Sequence, residues 1–174
     1  AVTVSHGHFD HNAIKKVCGN PVIIDKEGSF ELPGVDIDSV KSFHDECRGK
    51  KRGENVIFKF RMDGIDVCHL GDLGEVCSPD LIETVLPVNV LLIPVGGNYT
   101  IDAEMAKEYV DRIMPDVVIP MHYRTKDCKI DIDKVDEFIK LFDDDCVEER
   151  EENFLELSRS DLTGETRIIV LRRN

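Results

Sequence analysis

The sequence predicts an α/β fold, because strand-like and helix-like segments alternate along a chain of single-domain length. The 174 residues amount to one domain's worth of chain, so we expect residues 1–174 to form one domain. Apolar residues after Asp102 recur at the spacing of a helix with one buried face. Short apolar runs typical of strands lie at residues 2–4, 21–24, 89–95 and 117–121.

The middle of the chain, residues 28–69, has the pattern of an antiparallel sheet. Asp63-Gly64 predicts a hairpin turn between two of its strands. A mobile loop rich in Gly, Lys and Arg is predicted over residues 46–54. Strands are predicted at residues 34–37, 40–43, 55–61 and 65–69.

Two helices have clear start signals. Ser78 is a helix N-cap followed by Pro79, which predicts a helix to about Leu86. Asp102 caps a second helix that ends at Met114-Pro115. With the strands on either side, this second helix predicts a right-handed parallel βαβ unit. We also expect helices over residues 12–18 and 132–142 and an antiparallel pair of strands at 153–157 and 166–171.

The composition excludes several classes of partner. Lysine and arginine total 22 and aspartate and glutamate total 35, so the net charge is −13. Nucleic acids are held by clustered Lys and Arg, so we expect no nucleic-acid partner. No apolar run reaches the roughly 18 residues of a membrane span, so we expect no membrane partner. A small-molecule substrate remains, and self-association into a homo-oligomer stays open.

The six cysteines are scattered along the chain and none of them forms a CxxC pair. A structural zinc knuckle therefore has no support. We expect reduced, mostly buried thiols and a cytoplasmic location.

The sharpest feature is the segment Ser5-His6-Gly7-His8-Phe9-Asp10-His11, which directly follows a predicted strand. Imidazole and carboxylate groups are the ligands of borderline divalent metals such as zinc. His6 and His8 alternate along an extended segment and so point the same way, whereas Asp10 and His11 follow where the chain turns. One short segment can therefore serve two adjacent metal ions.

Further metal-ligand side chains stand at the ends of other predicted strands. They are His44, His69, Asp72 and His122. Strand ends are where open α/β sheets place functional groups. All six histidines of the chain lie in the cluster or at a strand end.

These motifs resemble the metallo-β-lactamase superfamily, and within it the hydrolases similar to ascorbate-6-phosphate lactonase. The resemblance rests on the His-x-His-x-Asp-His run at 6–11, His44, the Leu70-Gly71-Asp72 segment, the loop at 94–100 and Pro120-Met121-His122-Tyr123. It implies the four-layer αββα fold, from which the first N-terminal strands would be missing in this sequence. It also implies a hydrolase that uses two divalent ions, zinc first and manganese or iron as alternatives.

The resemblance also assigns the ligands of the two ions. His6, His8 and His44 would hold the first ion, and Asp10, His11 and His122 the second, with Asp72 as the bridge. The family pattern gives the third position of the first ion to His44, although His69 could also reach it.

The resemblance further implies that a hydroxide bridging the two ions attacks an ester, lactone or phosphodiester. Asp10 or Asp72 would carry the proton to the leaving group. His69, Asn98, Tyr123 and Arg124 flank ligands or the Gly-Gly loop and are the candidate substrate contacts. Two alternatives stay open: a redox di-iron or persulfide-type enzyme on the same scaffold, and a non-catalytic binding protein.

Overall fold

The structure, a computed structural model, describes residues 1–172 and contains one large sheet and one small one. Three helices accompany the strands, together with short 3-10 turns at Ile14–Lys16, Asp144–Cys146 and Arg159–Asp161. The strands are β1 (Val2–Thr3), β2 (Ile23–Ile24), β3 (Gly28–Leu32), β4 (Val35–Phe43), β5 (Glu54–Met62), β6 (Ile65–His69), β7 (Val90–Pro94), β8 (Val117–Met121), β9 (Val147–Glu149) and β10 (Arg167–Val170). The helices are α1 (Pro79–Val85), α2 (Ala103–Ile113) and α3 (Asp136–Ile139).

The large sheet has eight strands in the order β3-β4-β5-β6-β7-β8-β10-β9. Strands β3 to β6 are antiparallel neighbours, and β6 to β8 are parallel neighbours. Because β4 and β6 both run antiparallel to β5, they point in the same direction as β7 and β8. The carboxyl ends of β4, β6, β7 and β8 therefore meet at one edge of the sheet.

The small sheet joins the amino-terminal segment to this edge. Strands β1 and β2 pair in parallel, and Ile24 of β2 packs with Ile37 and Phe58 of the large sheet. Just after β1, the Ser5 carbonyl accepts a hydrogen bond of 2.7 Å from the Val56 backbone N–H of β5. The histidine-rich segment therefore begins at a point that is bound to the large sheet.

The main core lies between the large sheet and the helices. Helix α2 buries one face, formed by Ala106, Tyr109, Val110 and Ile113, against it. On the opposite face of the sheet, leucines at 155, 157 and 162 cover part of a second apolar cluster. Helix α2 is 11 residues long, and no helix within residues 1–172 combines the length and apolar character of a membrane span.

Most of the expected elements are present. The Ser78 hydroxyl caps α1, the Asp102 carboxylate caps α2, and Met114 ends α2 in a left-handed conformation. Strands β7 and β8 are parallel neighbours connected by α2, as the βαβ prediction requires. The two strands expected at 34–37 and 40–43 are one continuous strand, β4.

Three local predictions are wrong. The helix expected at 12–18 is only a 3-10 turn without buried residues, since short helices need an apolar face to pack. The helix expected over 132–142 is reduced to α3. Residues 153–157 form no strand; β10 pairs in parallel with β8 and β9 instead, and Leu155 and Leu157 pack on the sheet face.

The prediction that the cysteines are mostly buried is also wrong. Within residues 1–172 all six are free thiols, but only Cys68 is buried and Cys18 is exposed. Cys68 lies in β6, where burial raises the pKa of its thiol to about 12.

Candidate metal centre

A cavity of about 430 Å³ lies at the edge of the large sheet where the carboxyl ends of β4, β6, β7 and β8 meet. It is lined by side chains of the histidine-rich segment and of the strand ends. His6 is buried beside the cavity, with its ring centroid 4.9 Å from that of His44. The cavity is lined by His8, Phe9, Asp10, His11, His44, Arg52, Asp72, Tyr99, His122 and Ile130. Residues that are far apart in sequence therefore share one small volume.

One carboxylate oxygen of Asp72 lies at the centre of the imidazoles. Its Oδ2 is 3.4 Å from His44 Nε2 and 3.5 Å from His122 Nε2. The Nε2 atoms of His6 and His11 are each 3.7 Å away. Tetrahedral zinc sites have metal–ligand distances of about 2.0–2.2 Å, so two ligands of one ion lie about 3.4 Å apart. The spacing around Asp72 therefore fits metal ions between the side chains.

Two groups of ligand atoms are close enough to share an ion. The nitrogens of His6, His8 and His44 lie within 4.8 Å of one another. So do ligand atoms of His6, His11 and Asp72. The first group is the set expected for the first ion, and the second contains two members of the set expected around the second ion. Their assignment to individual ions stays a prediction.

Asp10 occupies the outer side of this arrangement. Its Oδ2 is 3.8 Å from His11 Nε2, and 57% of its side chain is exposed. It is the most solvent-accessible of the predicted carboxylate ligands, since only 8% of the Asp72 side chain is exposed. The two carboxylates therefore differ sharply in their access to water.

His6 is oriented as a metal ligand would be. Its Nδ1 is 3.0 Å from the Ser5 hydroxyl, whereas its buried Nε2 has no hydrogen-bond partner within residues 1–172. A buried polar atom without a partner is costly, and a metal ion would satisfy it. Ligand histidines are commonly held in this way, with one nitrogen on the metal and the other hydrogen-bonded.

The protonation states also suit metal binding. Burial lowers the pKa of His6 to about 4, helped by the imidazoles of His11, His44 and His8 and opposed by the Asp72 carboxylate. Burial acts to raise the pKa of Asp72, but the surrounding histidines outweigh it and bring that pKa down to about 2. Neutral imidazole and ionised carboxylate are the forms that bind metal.

The buried side chain of Asn55 holds the turn that carries Asp72. Its Oδ1 accepts a hydrogen bond of 3.0 Å from the Asp72 backbone N–H, and its Nδ2 donates to the Leu70 carbonyl at 2.8 Å. The same Nδ2 donates to the Ser42 hydroxyl at 2.7 Å. Asn55 is fully buried, so these bonds fix the position of Asp72 relative to β4 and β5.

His44 is placed by close backbone packing. The Gly74 N–H donates to the Phe43 carbonyl at 2.9 Å, and a Cβ at Gly74 would come within 2.5 Å of the His44 carbonyl carbon and oxygen. Gly96 plays the same part for His122, since a Cβ there would lie 2.2 Å from the His122 carbonyl oxygen. Only glycine at positions 74 and 96 permits the backbones at His44 and His122 to approach these segments so closely.

The buried carboxylate of Asp45 organises the loop that follows His44. It accepts hydrogen bonds from four backbone N–H groups of the loop, at 2.7–2.9 Å. Burial acts to raise the pKa of Asp45, but these four bonds outweigh it and bring that pKa down to about 2. The donors are the backbone N–H groups of Cys47, Gly49, Lys51 and Arg52.

The four predicted substrate contacts are placed differently from one another. His69 Nδ1 accepts a hydrogen bond from the Gly71 N–H at 3.0 Å, and burial lowers the pKa of His69. Asn98 donates from its side chain to the Asp131 carbonyl at 2.8 Å. Tyr123 is half-buried against the main core, and Arg124 is exposed. None of these four lines the cavity within residues 1–172.

Four side chains that line the cavity were not predicted from the sequence as site residues. Phe9 is 92% exposed, and Tyr99 and Ile130 are partly exposed beside it. Arg52 brings a permanent positive charge. No local pattern distinguishes Arg52 from the other basic residues of its loop; only its position in the fold does.

Comparison with known proteins agrees with this geometry. A family model described as a beta-lactamase superfamily domain matches residues 1–122. The chain belongs to this superfamily. The match ends at His122, so it contains all the predicted metal ligands. The expected metallo-β-lactamase fold is thereby confirmed.

Individual relatives carry related names. The chain is 30% identical over 148 residues to a metal-dependent hydrolase of Thermoplasma volcanium, covering 72% of this chain and 66% of that protein. It is 30% identical over 161 residues to one of Methanocaldococcus jannaschii, covering 80% and 73%. The chain thus spans about two thirds of the length of the curated relatives it matches.

Among solved structures, a metallo-β-lactamase superfamily protein from Thermotoga maritima, described as a candidate zinc-dependent hydrolase, superposes with a TM-score of 0.81. It is 43% identical, and the match covers 97% of this chain and 79% of that one.

Proposed function

We propose that this chain is a metal-dependent hydrolase with two divalent ions, which cleaves an ester, lactone or phosphodiester of a small molecule. The observation that carries the proposal is the convergence of four imidazole nitrogens on Asp72 Oδ2 at 3.4–3.7 Å. Zinc is the first expectation for such a donor set, and manganese and iron are also compatible with it. The names of the relatives support the reaction class.

Two bound divalent ions would supply a water of lowered pKa as a hydroxide that bridges them, and would polarise a carbonyl or phosphoryl oxygen. The protein contributes the arrangement of the donors. Asp72 is held by Asn55 and shielded from water, so its charge stays where the imidazoles converge. Asp10 is largely exposed at the cavity and is the better placed carboxylate to pass a proton to a leaving group.

The proposed partner is a small molecule that enters the open side of the cavity, where Asp10, Phe9 and Tyr99 lie. The net charge of −13 supports the absence of nucleic-acid and membrane partners. We further propose a cytoplasmic location.

The test combines metal content with activity. We expect chelator-treated protein to recover two equivalents of zinc per chain by elemental analysis, and with them the hydrolysis of bis(p-nitrophenyl) phosphate, p-nitrophenyl acetate or a simple lactone. Asp72→Asn should bind fewer than two ions per chain and lose the activity. Asp102→Asn is the matched control, because Asp102 caps α2 and does not line the cavity.

A metal ratio that does not rise above one after reconstitution would contradict the binuclear proposal. Substrate turnover that survives complete removal of the metal would contradict metal-dependent hydrolysis. Metal-dependent oxygen or persulfide turnover without hydrolysis would favour the redox alternative, and metal binding without turnover of any kind would favour a binding protein.

A further inference from the structure

We propose that Arg52 is the residue that selects the substrate, and that the substrate carries an anionic group, carboxylate or phosphate, apart from the bond that is cleaved. This inference rests on the proposed hydrolase function and adds a substrate class to it. It concerns the same cavity, but a side chain outside the predicted ligand set.

The first observation is the position of the guanidinium. Arg52 lines the cavity together with His11 and Asp72, and it is half-buried there. Its Nη2 donates a hydrogen bond of 2.8 Å to the Asn98 carbonyl, and its Cζ lies 5.6 Å from the centre of the Tyr99 ring. A carbonyl and an aromatic ring thus hold the guanidinium at the cavity wall.

The second observation is that this charge is not neutralised by a carboxylate. Lysine and arginine ion pairs among residues 1–172 involve other side chains, and Arg52 is in none of them. It is also the only lysine or arginine of residues 1–172 that lines this cavity. A guanidinium has five N–H donors in a planar fork that fits two oxygens of a carboxylate or phosphate.

The third observation is the hydrogen bonding of the loop that carries Arg52. The Arg52 backbone N–H donates to Asp45 Oδ2 at 2.7 Å, and Asp45 is 1% exposed. The loop also returns to the metal centre, because the His44 N–H donates to the Gly53 carbonyl at 3.1 Å. The guanidinium and the imidazole of His44 are therefore carried by one short loop whose backbone is bonded to Asp45 and closed by the His44–Gly53 hydrogen bond.

These features explain the selectivity that we infer. A neutral ester would contact only the metal centre. An ester with a distal anion would also bind the Arg52 guanidinium, which is already oriented. Little conformational freedom is lost on binding, because Asn98 and Tyr99 hold the side chain beforehand. Arg52 would bind the anionic group of the substrate, and a guanidinium accepts either a carboxylate or a phosphate.

The catalytic test compares three p-nitrophenyl esters with the same leaving group: the neutral acetate, the glutarate monoester with a distal carboxylate, and the phosphonoacetate with a distal phosphonate. We expect the wild type to prefer at least one anionic ester over the acetate in kcat/KM by about 10- to 100-fold, the size of a charge-assisted hydrogen bond. The anionic ester with the larger kcat/KM preference over the acetate identifies which anion, carboxylate or phosphonate, is favoured.

Arg52→Gln should reduce this preference to near unity, mainly through KM, and Arg52→Lys should retain part of it. The matched control is Arg48→Gln, since Arg48 lies exposed on the same loop and does not line the cavity. It should keep the wild-type preference. An equal preference in wild type and Arg52→Gln, or an equal loss in Arg48→Gln, would overturn the inference.

A binding measurement separates this inference from the proposed function. Calorimetric titration of metal-loaded protein with glutarate and with inorganic phosphate should give at least one affinity that falls about tenfold or more in Arg52→Gln and not in Arg48→Gln. Binding that depends on Arg52 without any hydrolysis would overturn the proposed function alone. Hydrolysis together with anion binding that is independent of Arg52 would overturn this inference alone.

Discussion

Replacing Asn55 by alanine tests whether the turn of Asp72 is held by a single buried amide. Asn55 is fully buried and bonds the Asp72 N–H, the Leu70 carbonyl and the Ser42 hydroxyl. In Asn55→Ala the hydroxyl of Ser42 keeps its bond to the backbone carbonyl of residue 55. The Asp72 N–H and the Leu70 carbonyl both lose the amide as their hydrogen-bond partner.

The magnitude follows from these two groups. Leu70 is 1% exposed and Asp72 is 6% exposed, so bulk solvent does not readily reach the Leu70 carbonyl or the Asp72 N–H. Leaving one buried polar group without its partner costs about 1–3 kcal/mol. The free energy of unfolding should therefore fall by about 2–6 kcal/mol, towards the lower end if water fills the space of the missing amide. Because Asp72 is released as well, the affinity for metal should fall too.

Urea unfolding of chelator-treated protein measures the stability without the contribution of bound metal. Zinc titration of the folded variant then measures the affinity. Asn89→Ala is the matched control. Its half-buried side chain makes two hydrogen bonds, to the Asp66 N–H and the Asp116 carboxylate, but it precedes β7 at the opposite edge of the sheet. It should lower the stability and leave zinc affinity unchanged. The reasoning is refuted if Asn55→Ala matches the wild type in both measurements, or if Asn89→Ala weakens zinc binding as much.

Three further predictions concern the centre itself. His44→Ala should lower metal stoichiometry by elemental analysis, whereas His69→Ala should keep the metal and change kcat or KM; the opposite pattern would exchange their roles. Gly74→Ala should weaken zinc binding about 10- to 100-fold, because the new Cβ displaces the backbone of His44. Gly7→Ala, which meets nothing within 4 Å, should not, and equal effects in calorimetry would refute the packing argument. Asp72→Asn should bind fewer than two ions per chain, and full occupancy measured by elemental analysis would exclude Asp72 as the bridge.

The sequence was informative wherever the signal is local. Caps, turn residues and apolar periodicity depend on a few neighbouring residues, so Ser78 and Asp102 predicted α1 and α2 correctly. The strands that lead to the centre were found for the same reason. The prediction failed for residues 153–157 because packing, not local pattern, decides their structure. They have strand-like alternation, but the expected partner β10 already pairs with β8 and β9, and their leucines cover a sheet face instead.

The sequence by itself determined which side chains could bind metal, since the histidine-rich segment and the strand-end residues carry the donor groups in order along the chain. Only the tertiary structure decided how they meet, because the directions of β4, β6 and β8 bring their ends to one edge. It also decided that Asn55 supports Asp72 and that Arg52 reaches the cavity. Both depend on contacts between segments distant in sequence, and such contacts produce no periodic pattern of residues from which they could be predicted.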